Sequence, residues 1–232
     1  MERIVQDATQ ARDALFPDVR RHADLLTTQF DMIEERHRGP AETLAAWVAE
    51  NYRPDQPVGI VVICTGNSRR SMLGAVMGNV AATYHGLPDV RFFSGGTAPS
   101  AFNARTVAAL KDVGVEVEPA GEEAPRGSAG EANPVYQVRW GTGLEAAEFS
   151  KLYSDAQNPQ TGFAAILVCG EADDACPTVR GAAVRIPVPY TDPKAFDGSA
   201  FEAAKYAERR DDIGRFMLSV LMQAHRLVTA QK

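Results

Sequence analysis

Residues 58 to 64 read Val-Gly-Ile-Val-Val-Ile-Cys, an apolar run of strand length that ends on a cysteine and passes straight into Thr65-Gly66-Asn67-Ser68-Arg69-Arg70-Ser71. A short apolar run rich in β-branched residues and closed by turn residues predicts a fully buried strand. Gly66 and Asn67 tolerate the left-handed backbone of a tight loop. The run behind them predicts a helix over about 69 to 84. A buried strand feeding a helix in this way belongs to α/β architecture.

The rest of the chain repeats the alternation. Short strands are expected at 90 to 93, 115 to 117, 135 to 140, 162 to 169 and 184 to 188, with a helix at 102 to 113 ending at Gly114. Near the C-terminus, Ile213, Phe216, Met217, Val220, Leu221 and Ala224 fall on one helix face. Strands alternating with helices imply a central, mainly parallel sheet with helices on both faces, a three-layer α/β fold. Ligands in such sheets bind beyond the carboxyl ends of the strands, which is where Cys64 falls.

Two segments stand outside this pattern. Residues 1 to 56 read as a helical extension: Leu15, Val19, His22, Leu25, Leu26 and Phe30 lie near helical spacing, as do Leu44, Trp47 and Val48 after Pro40. Pro40 is expected in the first turn of its helix, where a missing N–H costs nothing. The Arg-Pro-Asp-Gln-Pro run at 53 to 57 ends the extension, leaving 57 to 232 as the main domain. An insertion is expected over about 118 to 160, and its Gly-, Pro-, Glu- and Ala-rich start, 118 to 133, reads as surface loop with little structure.

A net charge of −6 argues against a nucleic-acid binder. No apolar run reaches the length of a membrane helix and the polar N-terminus is no signal peptide, so a cytoplasmic protein without membrane contact is expected. Three cysteines in 232 residues make no disulfide framework and point to chemistry or packing. No spacing of metal ligands stands out. Gly141-Thr142-Gly143 lacks the strand–turn–helix setting of a dinucleotide fingerprint. His85, before Gly86, reads as a helix end, and Asp173 and Asp174 as a helix start.

The loop after Cys64 has the parts of an anion cradle. Backbone N–H groups of a tight loop and of a helix N-terminus favour an oxyanion, and the Arg70 guanidinium offers a planar fork for two of its oxygens. A sulfur in that positive field, with the Ser71 hydroxyl beside it, is placed as a nucleophile. The plainer alternative is a buried cysteine followed by a solvated arginine pair.

The run Cys64-Thr-Gly-Asn-Ser-Arg-Arg-Ser71 resembles the phosphate loop of low-molecular-weight protein tyrosine phosphatases and of their relatives, the thioredoxin-coupled arsenate reductases. Ser94-Gly95-Gly96-Thr97, Asn103-Ala104-Arg105, the stretch from Val168-Cys169 to Cys176-Pro177, and Asp192-Pro193 are similar to later family segments. The resemblance covers about 57 to 228 and implies a phosphatase-like fold, an oxyanion ring formed by Thr65 to Ser71, and Asp192 as the acid that protonates the leaving oxygen. It further implies a thiol relay from Cys64 to Cys169 to Cys176, arsenate or phosphate as oxyanion, no bound cofactor, and thioredoxin as external dithiol. Ser68, Arg69 and Lys194 depart from the tyrosine-specific or reductase patterns; Ser68 and Lys194 favour a small inorganic oxyanion over a phosphotyrosine peptide. Tyr136, Trp140 and Tyr153 are candidates for a ring-sized groove or for core. Two alternatives stay open: a phosphatase acting on phosphomonoesters through a cysteinyl-phosphate, and an oxyanion or redox sensor that does not turn over. Oligomeric state is not legible.

Overall fold

The computed structural model describes residues 8–127, 130–170 and 178–230. Four parallel strands form the central sheet: β1 (Val58–Cys64), β2 (Val90–Gly96), β6 (Phe163–Leu167) and β7 (Ala182–Pro187), in the order β2-β1-β6-β7. β1 and β6 are central, and their side chains are buried apart from a half-buried Gly59, as expected where helices cover a parallel sheet. Helices α1 (Ala8–Asp13), α2 (Pro17–Thr27), α3 (Glu35–Asn51), α4 (Arg70–Tyr84), α5 (Ala104–Lys111) and α6 (Glu202–Ala230) complete the described α-structure. The result is an α/β fold with a parallel four-stranded sheet flanked by helices, compatible with three layers.

α4 is buried along nearly its whole length, from Arg70 to Ala82 and again at Tyr84. A helix apolar on all sides must be covered on all sides. The sheet covers one side; α6 and the N-terminal helices α1 and α2 cover much of the rest. Leu15, Val19, Leu26, Leu44 and Val48 accordingly belong to the same hydrophobic cluster as Ile60, Ile63, Phe216 and Leu221. The stripe predicted on the last helix is fully buried in α6. His85 ends α4, with Gly86 at φ +69° behind it.

Three expectations need correction. Pro40 is not in a first turn: α3 starts at Glu35, so Pro40 lies inside the helix. The carbonyl that loses its donor belongs to Arg36, an exposed residue, where the lost bond costs less than it would in the core. Phe30 leaves the helix for a short 3-10 turn, and Leu25 is exposed. The stretch 118 to 133 is not loop throughout. β3 (Glu116–Glu123) pairs antiparallel with β4 (Pro134–Gly141), which pairs with β5 (Leu144–Glu148), forming a second sheet. β3 is an edge strand with its register broken between Pro119 and Glu123, and edges and bulges admit Pro and Gly that a central strand refuses. Thr142-Gly143, with Gly143 at φ +69°, is the hairpin turn between β4 and β5.

Candidate active site

A cleft of about 880 Å³ opens at the carboxyl ends of the parallel strands. Cys64 ends β1, Tyr190 to Asp192 follow β7, and Ala98 and Ser100 follow β2. The loop from Cys64 wraps its floor. Its carbonyls are tied outward: Thr65 O accepts from the amides of Thr97 (3.0 Å) and Ala98 (2.9 Å), Gly66 O from Ser100 N (3.0 Å), and Ser68 O from Asn103 N (3.1 Å). In a planar trans peptide the N–H points opposite to the C=O. Fixing these carbonyls outward therefore turns the amides of Gly66, Asn67 and Arg69 inward. Asn67 holds the left-handed backbone of the turn at φ +40°. α4 begins at Arg70 and the Arg69 side chain makes no capping bond, so the orphan amides of its first turn lie at the same floor.

A directed chain of hydrogen bonds ends on the sulfur. Lys151 N donates to Asn67 Oδ1 (2.7 Å), which fixes the orientation of that amide. Asn67 Nδ2 then donates to Ser71 Oγ (2.9 Å), which lies within hydrogen-bond reach of Cys64 Sγ, 3.1 Å away, and can donate its hydrogen to a thiolate there. Gly96 lets this happen: a Cβ there would lie 2.7 Å from Thr65 O and 2.9 Å from Asn67 N, both backbone atoms.

The two loop arginines differ. Arg70 is buried, and its Nη1 donates to Tyr190 O (2.9 Å) while Nη2 donates to Asp192 Oδ2 (2.8 Å). Its Nε is buried without a hydrogen-bond partner among the described residues. Asp192 thus occupies one arm of the expected fork, and the third donor is left unmatched. Arg69 is expected in the oxyanion ring. Its amide faces the ring, while its guanidinium sits at the rim, donating through Nε to Tyr206 OH (2.9 Å) and lying 3.8 Å from Asp197. Burial, and next the bond to Asp197, push the Tyr206 hydroxyl up to about 12, so it stays protonated and donates to Asp197 Oδ1 (2.8 Å). Asp192 Oδ1 also accepts from Lys194 N (3.0 Å), fixing the start of the Asp-Pro turn.

Cys169 comes up beside the loop. Ile63 pairs with Leu167, and Val168 N donates to Ile63 O (2.9 Å), so Cys64 and Cys169 leave neighbouring strand ends. Cys169 Sγ lies 3.5 Å from Thr65 Oγ1, and no disulfide joins the two described cysteines. Cys176, Asp173 and Asp174 lie outside the described residues. Tyr136, Trp140 and Tyr153 do not line the cleft; Tyr136 stacks edge-on with Phe102, and Trp140 donates to Thr83 Oγ1. Among the described residues no cluster of side chains suits a metal ion, and no helix is long and apolar enough to cross a membrane.

Several supporting residues have no local sequence signal. Ser150 Oγ donates to Gly66 O (3.0 Å), and Asn133 holds Ser150 through both its N–H (3.0 Å) and its C=O (2.8 Å). The segment predicted as a surface insertion thus buttresses the loop from outside. No protein-family model matches the chain, and no curated protein matches it.

Proposed function

We propose that this chain is a cysteine-dependent oxyanion enzyme, of the low-molecular-weight phosphatase type in fold, that reduces arsenate to arsenite. The observation that carries the reading is the pairing of an inward-amide loop around Cys64 with a second sulfur, Cys169, 3.5 Å from the hydroxyl of the next loop residue. The parallel order β2-β1-β6-β7 supports the fold assignment.

Arsenate enters the loop and takes the inward amides, the free Arg70 Nε and the Nη2 now held by Asp192. Displacing Asp192 from Nη2 releases its carboxyl toward the leaving oxygen. Cys64 Sγ bonds to As(V) as one As–O bond breaks, and that oxygen leaves as water after protonation from the Asp192 side. Cys169 Sγ then attacks Cys64 Sγ. The S–As bond breaks, its electron pair stays on arsenic, As(V) becomes As(III), and two thiols become a disulfide. Cys176 attacks Cys169, returns Cys64 as a thiolate, and leaves a Cys169–Cys176 disulfide for an external dithiol such as thioredoxin.

One observation favours a second reading, phosphomonoester hydrolysis through a cysteinyl-phosphate. The cleft has the ~300–1,000 Å³ size of small-molecule sites, more than one tetrahedral anion fills. Cys176→Ala separates the two. With arsenate, thioredoxin and thioredoxin reductase, the native chain turns over repeatedly and Cys176→Ala stops after about one turnover, while Cys64→Ser abolishes every activity. A native chain that hydrolyses aryl phosphates, reduces no arsenate and is indifferent to Cys176→Ala is the hydrolase. Full activity in Cys64→Ser contradicts both.

A further inference from the structure

We propose that His37, in the N-terminal extension, is a positioning residue for the segment that carries Asp192, so that the extension takes part in the reaction without contributing a group to the cleft. The inference rests on the reading of Asp192 as the acid.

His37 stands on the buried stripe of α3, followed by Ala41, Leu44 and Val48 at helical spacing. It is 2% exposed. An imidazole there must find a polar partner or carry the cost of desolvation, and a leucine would fill the space without that demand. The partner is Pro189 O, 3.0 Å from Nε2. A carbonyl only accepts, so Nε2 carries the hydrogen. Burial, the largest influence, holds the imidazole below the usual histidine range and keeps it a neutral single donor. The ring packs 4.6 Å from the Tyr190 ring and edge-on, at 6.2 Å, against Phe216.

The next residue along carries the contact that matters. Arg70 holds Tyr190 O from inside the cleft and Asp192 through its other arm. The strand side of the same segment is fixed by Val188 N to Leu167 O (2.8 Å) and Tyr190 N to Val168 O (3.0 Å). Pro189 has no N–H to add, so its carbonyl is its one backbone handle, and α3 grips it. Removing the grip leaves the Pro189–Tyr190 peptide held through Tyr190 N but no longer through its carbonyl, so it can tilt about that bond, which moves the carbonyl that orients Arg70 and the carboxyl two residues on.

The test uses the full chain carrying His37→Leu, which keeps bulk and loses the donor, and His37→Gln, whose amide restores a donor near Nε2. kcat/KM is measured on phenyl phosphate, whose leaving group needs a proton, and on 2,4-dinitrophenyl phosphate, whose leaving group does not. His37→Leu is expected to lose about tenfold on the first and little on the second, with His37→Gln recovering most of the loss. Where the native chain turns over arsenate alone, kcat falls in His37→Leu with KM unchanged, and His37→Gln again recovers it. Equal losses on both esters, or no loss on either or on arsenate, overturns the proposal. A native chain that turns over neither arsenate nor phosphate ester overturns the reaction itself, an outcome distinct from a variant that matches the native chain.

Discussion

Gly96 shows how one residue governs the site from outside it. Its hydrogen faces the backbone of Thr65 and Asn67, and its own N–H donates to Lys151 O (2.9 Å), so loop, sheet and buttress meet there. Backbone atoms cannot rotate aside as a side chain would. Gly96→Ala is therefore expected to push the anion loop off its geometry, lowering turnover about 100-fold while the overpacking costs ~1–3 kcal/mol of stability. Calorimetric titration with phosphate beside a urea melt checks this; unchanged phosphate binding would show that the loop yields. At this scale, what was legible was what is local. Cys64 and Ser71 bond across seven positions, and both were readable from one short run. Arg69 meets Tyr206 across 137 positions and His37 meets Pro189 across 152, so neither contact leaves a mark in local sequence. Arg70 and Asp192 were each singled out in sequence, one as an anion fork and the other as an acid, whereas the ion pair between them, across 122 positions, was not.

Among elements, the strands with buried side chains announced themselves, and β3, built largely on backbone pairing, did so only at its start, as far as the buried Val117. β1 and β6 are apolar runs and read as strands. β3 exposes seven of its eight residues, so its Glu, Pro and Gly content imitates a loop. The uncharged stretch from Ser71 to Tyr84 carried a usable signal: a helix without a polar face calls for cover on every side, which is what α1, α2 and α6 supply. The second sheet bears on function through Asn133, whose side chain bonds Pro125 O (2.9 Å) as well as both backbone groups of Ser150. Asn133→Leu leaves both buried backbone groups of Ser150, and the partly buried Pro125 carbonyl bond, unmatched. A loss of about 3 kcal/mol by urea denaturation is expected, together with weaker phosphate binding through the Ser150–Gly66 contact. Lost stability with intact phosphate binding would confine the second sheet to a structural part.

Taken whole, the molecule gathers cationic side chains at one cleft of an acidic chain. Its net charge is −6, yet Arg69, Arg70, Lys194 and the α4 N-terminus converge on the cleft with Asp192 as the opposing carboxyl. The extension and the second sheet close on that cleft from two sides, one through Pro189 and the other through Gly66. Both segments looked separable in sequence because neither carries a motif. What makes them part of the site is hydrogen bonding to backbone carbonyls, which any sequence possesses and which composition therefore hides.

A loop that holds a tetrahedral oxyanion directly against the Cys64 sulfur must shield that sulfur when the anion is bound. Time-resolved alkylation of the native chain with iodoacetate, mapped by mass spectrometry with and without phosphate or arsenate, measures this. Cys64 is expected to be labelled before Cys169, and millimolar oxyanion to suppress the Cys64 label selectively. Cys64 labelling that is indifferent to oxyanion, or labelling of Cys169 first, would contradict it.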